Sequence, residues 1–169
     1  MTWFVRSFVK ASLSWLALGV SLGVAMAAHP LWTVYRPVHV HMVLLGFVTM
    51  MIYGVAYHVI PRFAGLPLYS ARAAVWHWWI SNAGLALMAT GFAIRVHEAT
   101  VGTIVLATGG TLSAIGAYTF VYVIRRTIDG PASLREGARA QHAMQQSRGG
   151  TLPVMGARPP APDAAAPPR

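Results

Sequence analysis

Four apolar runs, separated by short segments, leave few folds open to this chain. The hydrocarbon core of a bilayer takes about 20 apolar residues as a helix, and inside it every backbone polar group must be satisfied within the segment. The runs predict helices over Phe8–Ala28, Pro37–Ile60, Ala73–Arg95 and Thr100–Ile124. Composition agrees: 56% of residues are hydrophobic and 10% charged, where a soluble domain carries about 25% charged residues. The expected fold is all-α, an integral membrane four-helix bundle over residues 1–126. A basic, Ala/Pro-rich tail over residues 127–169, ending "GARPPAPDAAAPPR", is expected to be disordered because it lacks the apolar surface to fold.

The formal charge of +9 resembles a nucleic-acid signal, but its placement argues against one. Basic residues sit between and after the apolar runs, as topology signals do. Arg6, Lys10, Arg62, Arg72, Arg125 and Arg126 fall on one side of the predicted membrane, and only Arg36 and Arg95 on the other. The positive-inside rule therefore predicts a multi-pass protein with both termini in the cytoplasm, and the expected location is the bacterial inner membrane. The first run closes with "VAMAAHP", which resembles a signal-peptide cleavage site, but its uncharged stretch is long for a signal segment. The chain has no cysteine, which removes disulfides, thiolate metal sites, iron–sulfur clusters and covalent c-type heme attachment.

Small residues mark the helix contacts. Gly19 and Gly23 form a GxxxG pair, and Gly102, Gly109 and Gly116 recur every seven residues. Trp76, Trp78 and Trp79 read as an interfacial aromatic belt. His29, His39, His41 and His97 share the outer side of the predicted topology, His58 and His77 the cytoplasmic side, and His142 lies in the tail as a solvated residue. At 100° per residue His39 shares a stripe with Gly46, Met50, Tyr53 and Tyr57, a face suited to a bundle interior. His41 shares an aliphatic stripe with Leu45, Val48, Ile52, Val55 and Val59, suited to lipid or helix packing. His39 is thus the better candidate ligand, and His41 a supporting or alternative one. His77 lies on a stripe with Ser81, Gly84, Met88, Gly91 and Arg95, where either a helix backbone or a flat ligand can approach, and where His77 can bond Tyr57 or face His58. His39 and His77 lie roughly 25 Å apart in depth at about 1.5 Å rise per residue, so one iron cannot bind both.

The second run, "RPVHVHMVLLGFVTMMIYGVAYHVIPRF", resembles the second transmembrane helix of heme-copper oxidase subunit I, in its C-type oxidase and nitric oxide reductase branch. Those helices begin with an Arg–x–x–His motif and end in a Tyr-rich turn followed by arginine. The resemblance implies that His39 is an axial ligand of a low-spin heme b near the periplasmic face. It is confined mainly to this helix, and "HWWISNAGL" is only loosely similar to the third. The copper-ligand histidines and the remaining heme ligands of such a subunit find no match here. The resemblance therefore implies a low-spin heme site without an oxygen- or NO-reducing centre.

Three functions follow as expectations. The first is a b-type cytochrome in respiratory electron transfer. Its sixth ligand is His97, His29 or His41, or a histidine of a second chain, and Arg36 and Arg95 pair with the heme propionates. Its partners are the lipid membrane, a second copy or a larger respiratory complex, and a periplasmic carrier or quinol. The second is a copper-binding or copper-delivery protein built on "HVHM" with His29 and His97, although positions two apart on a helix point about 200° apart. The third is an assembly or structural subunit without a cofactor. No nucleophile–base pair supports a hydrolytic enzyme, and no acidic residue lies inside a run, which argues against a transporter.

Overall fold

The structure, a computed structural model, describes residues 2–149, and these are helical with no strand among them. Helix α1 spans Trp3–Ala28. Helix α2 is continuous over Pro30–Ala64, α3 spans Ala71–Arg95, α4 spans Ala99–Asp129, and a fifth helix, α5, spans Ala132–Gly149. Helices α1, α2 and α4 are each long and apolar enough to cross a membrane. Helix α3 is long enough, but His77, Asn82 and three tryptophans reduce its hydropathy, and its buried residues include His77 and Ser81.

The boundaries follow local chemistry. Pro30 opens α2 in a 3-10 turn over Pro30–Tyr35, and Pro37 stands at the start of the α-helical stretch Arg36–His41. The helix then widens to a π-helix over Met42–Thr49 and returns to α over Met50–Ala64. Gly46 lies within this π-helical stretch, and a Cβ there would lie 2.5 Å from the Cβ of Trp15 on α1. Pro61 is expected to mark the exit of this helix, but it lies inside it. A proline removes one backbone donor, and the helix continues one further turn until Gly65 ends it at φ 64. The Gly65 and Leu66 amides then bond the Arg62 and Pro61 carbonyls at 3.2 and 3.0 Å. Ser70 caps α3, its Oγ accepting from the Ala73 amide at 3.2 Å.

Consecutive helices pack antiparallel, and α3 with α4 forms the closest pair. Along this pair a Cβ on Gly91 would lie 2.5 Å from the Leu106 amide nitrogen, one on Gly102 2.4 Å from the Arg95 Cα, and one on Gly109 2.4 Å from the Met88 amide nitrogen. The stripe of small residues on α3 thus receives a helix backbone. Gly19 and Gly23 do the same for α2, meeting the Val43 and His39 side chains at 3.0 and 2.9 Å. In lipid such packing, with hydrogen bonds across helices, replaces the hydrophobic drive of water. Trp15 Nε1 donates to Asn82 Oδ1 at 3.1 Å, joining α1 to α3.

The main core gathers toward the end that carries Arg62, around Phe4, Val5, Phe8, Met50, Tyr57, Ala74, Leu85, Val123 and Ile124. There Arg126 sits 5.1 Å from the Tyr69 ring centre, and the Tyr69 phenol is held below its ordinary range, first by the Tyr122 hydroxyl and then by this guanidinium. Two expectations change. Trp76 and Trp79 are exposed as a belt requires, but Trp78 packs inward, edge-on to Trp3 at 5.6 Å. The disordered tail expected from residue 127 gives way to helix through Asp129 and again over Ala132–Gly149. That stretch is rich in Ala, Arg and Gln, which favour helix, and the proline-rich run begins only at Pro153. The rest of the predicted tail, residues 150–169, lies outside the described residues.

Candidate functional site

At the end of the bundle opposite Arg62, α1 and α2 place His39 between them. Its Nδ1–H donates to the Gly19 carbonyl at 2.8 Å, and its Cε1 lies 2.9 Å from the position a Cβ would take on Gly23. The GxxxG pair of α1 is therefore the seat of this imidazole. Because a carbonyl only accepts, the proton is on Nδ1 and Nε2 carries the lone pair. No described group bonds Nε2.

His41 has the same tautomer for a different reason. Its Nδ1–H donates to the Pro37 carbonyl one turn back at 2.8 Å, and its ring stacks on Phe92 of α3 at 4.8 Å. His39 thus faces α1 and His41 faces α3, as two residues separated by about 200° must. The stripe that continues from His39 is buried at Gly46, Met50 and Tyr57, and the one from His41 is exposed at Val48, Ile52 and Val55. His97, just past α3, is exposed and its Nε2 is 3.2 Å from the Tyr35 hydroxyl. His29 stacks on Trp32 at 5.4 Å. Arg36 and Arg95 are exposed at the same end. No described contact joins His39 to His97, and the described residues contain no group of three His, Cys, Asp or Glu able to hold a metal.

The second histidine cluster lies deep in the bundle. His77 is fully buried, with its Nδ1 2.9 Å from the Tyr57 hydroxyl. Phe8, Tyr53, Tyr57 and Phe120 enclose the ring at 5.0, 4.5, 5.7 and 5.9 Å. The bond to Tyr57 was one of the two contacts open to it on sequence grounds. His58 instead pairs with Arg62 one turn along α2. His77 is held beside residues 53 and 57 of α2, far along that helix from His39, so the two imidazoles cannot share an iron.

A tetrapyrrole needs a cleft, and pockets for ligands of that order run to about 300–1,000 Å³. The cavity within the bundle, lined by Leu45, Thr49, Met50, Tyr53, Ser81, Leu85 and Ser113, is about 30 Å³. A hollow of about 710 Å³ lies at the opposite end from His39, bordered by Arg62, Phe63, Arg139 and His142. His142, expected to be merely solvated, borders this hollow because α5 turns back toward the end of α2. His39 thus offers one unbonded imidazole nitrogen, and of these two spaces one is too small for a heme and the other lies at the far end from this ring. Sequence reasoning missed the cavity that Ser81 lines. Ser81 was visible on the His77 stripe, but Thr49 and Ser113 belong to other helices and carry no local signal. The chain matches no protein-family model and no curated protein sequence.

Proposed function

We propose that this protein crosses the bacterial inner membrane four times, with both termini in the cytoplasm. In this reading it binds a low-spin heme b near the periplasmic face through His39 and serves respiratory electron transfer as an accessory subunit. Membrane insertion draws support from the apolar α1, α2 and α4 and from the inward-facing polar residues of α3. The observation that carries the heme reading is the 2.8 Å bond from His39 Nδ1–H to the Gly19 carbonyl. A metal-bound imidazole characteristically gives its other N–H to such an acceptor, which fixes the ring and raises the basicity of the ligating nitrogen. Heme would supply one-electron exchange at its iron. Arg36 and Arg95, exposed at the same end, would take the propionates.

The closed interior argues that such a heme lies between chains, so the working form is a homodimer or a larger complex, with His97 or a histidine of the second chain as sixth ligand. The second reading is an assembly subunit without heme, favoured by that same closed interior and by the Tyr35 contact to His97 Nε2. Copper capture by His39 with His41 loses support because the two rings lie against different helices.

A pyridine hemochrome assay with an optical spectrum on the purified full-length protein separates these readings. The expected result is a b-type spectrum that His39→Ala abolishes and His41→Ala and His142→Ala retain. Full heme content in the His39→Ala protein, or none in the unaltered one, overturns the proposal.

A further inference from the structure

The middle of the bundle holds polar groups that a heme at His39 does not use. His77 is fully buried, and its Nε2 has no partner. Ser81, one turn further along α3, is 6% exposed, and its Oγ is buried and unpartnered. Buried polar groups are satisfied almost without exception, by protein or by ordered water. The two groups border one spot: a Cβ on Gly116 of α4 would lie 2.6 Å from Ser81 Oγ and 3.4 Å from His77 Cδ2.

Ser81 also lines the cavity of about 30 Å³, together with Thr49, Tyr53 and Ser113. Leu45, Met50 and Leu85 make much of the lining apolar, but a water needs only about 10–15 Å³ of such space and two to four polar partners, and Thr49, Tyr53, Ser81 and Ser113 each bring a hydroxyl to the lining residues. The hydroxyls of Thr49 and Ser113 donate to the Leu44 carbonyl and to Met88 Sδ, which leaves their oxygens free to accept. On the other side of His77, the Tyr57 hydroxyl lies 2.9 Å from Nδ1. Tyr57 in turn borders a hollow of about 220 Å³ at the helix ends, with Thr2, His58 and Arg62.

We infer that water occupies the cavity beside Ser81 and completes a proton path from the hollow at Arg62, through Tyr57 and His77, to the centre of the bundle. With the Tyr57 O–H donating to Nδ1, the ring carries its own proton on Nε2. A proton reaching the phenol oxygen from water in the hollow releases the phenolic proton to Nδ1, and the Nε2 proton passes to the bound water. Tyr57 and His77 both end neutral, the imidazole as its other tautomer, and the transferred proton's charge rests on the bound water until the reverse relay returns it. The described ring contacts are Phe8 from α1, Tyr53 and Tyr57 from α2, and Phe120 and Gly116 from α4. Two phenols are the titratable groups among them, so no fixed charge locks the ring in one protonation state.

The test is solid-state NMR on the full-length protein, labelled with ¹⁵N-histidine and held in lipid bilayers, with or without a bound cofactor. Magnetisation is transferred from water to the imidazole nitrogens. We expect transfer to His77 Nε2 in the unaltered protein and its loss in Ser81→Ala. Exchange of the His77 ring proton with D2O should slow about tenfold in Tyr57→Phe, the factor that corresponds to removing one hydrogen bond. A His77 ring that receives no magnetisation from water overturns the inference. So does transfer unaltered by Ser81→Ala, or exchange unaltered by Tyr57→Phe.

Discussion

A histidine on an apolar helix has two ring nitrogens to satisfy, and this chain treats them differently at each position. His39 gives one to a neighbouring helix, His41 gives one to its own helix, and His77 shares one with a phenol while the other is buried without a protein partner. Two expectations follow at this scale. A methyl group on Gly23 meets His39 Cε1 at 2.9 Å, so Gly23→Ala turns the imidazole without removing it. Heme bound per chain, read by hemochrome, should fall in Gly23→Ala while the helical circular dichroism stays unchanged. Tyr57→Phe leaves both nitrogens of a buried imidazole without a protein partner, a loss of about 1–3 kcal/mol. Reversible unfolding in mixed detergent would register that loss, and a variant as stable as the parent would contradict the paired role of Tyr57.

At the scale of the helices, glycine decides how near two backbones come. On α4, Gly109 and Gly110 are adjacent in sequence but opposite in consequence. A Cβ on Gly109 meets the Met88 amide nitrogen at 2.4 Å, while one on Gly110 meets nothing within 4 Å. Backbone atoms cannot swing aside as a side-chain tip can, so Gly109→Ala forces α3 and α4 apart. The overpacking should cost about 1–3 kcal/mol. Gly110→Ala at an open helical position should instead stabilise by about 0.4–1 kcal/mol. Thermal denaturation of the two variants side by side reads the difference, and equal midpoints would mean that α3 and α4 are not packed this closely.

For the whole molecule, charge and core lie at the same end. Arg62 and Arg126 flank the end where Phe4, Phe8, Tyr57, Val123 and Ile124 are buried, while Arg36 and Arg95 sit at the more open end with His39 and His97. Exposed Leu13, Leu18, Leu44, Ile52, Ile104 and Ile115 form the kind of apolar exterior that a bilayer covers. The absence of cysteine makes the proposed orientation directly testable by single substitutions. An impermeant maleimide added from the periplasmic side should label Glu98→Cys, and should label Ser70→Cys only after the membrane is opened. Labelling of both from one side would exclude a crossing by α3.

Much of the fold was legible because helix formation is local. Apolar runs located the four long helices, closely for α3 but with α2 beginning at Pro30 rather than Pro37 and α4 running on to Asp129 rather than Ile124, and the spacing of glycines identified the faces that touch. The misses have local causes too. Pro61 lacks one donor yet does not stop a helix that Gly65 ends, and helix-favouring residues carry 132–149 past the point where low hydropathy suggested disorder. Of the candidate site, the separation of His39 from His41 was readable from helical angle alone. The seat of His39 on Gly19 and Gly23 was not, nor was the small cavity beside Ser81, since each is assembled from helices that are distant in sequence. The amino-acid order by itself determined an all-helical chain and the inward face of each helix, because backbone hydrogen bonding and side-chain period act within a few residues. Only the tertiary structure decided which imidazole nitrogens find partners and where the interior has room for water, because those outcomes depend on distances between atoms of different helices.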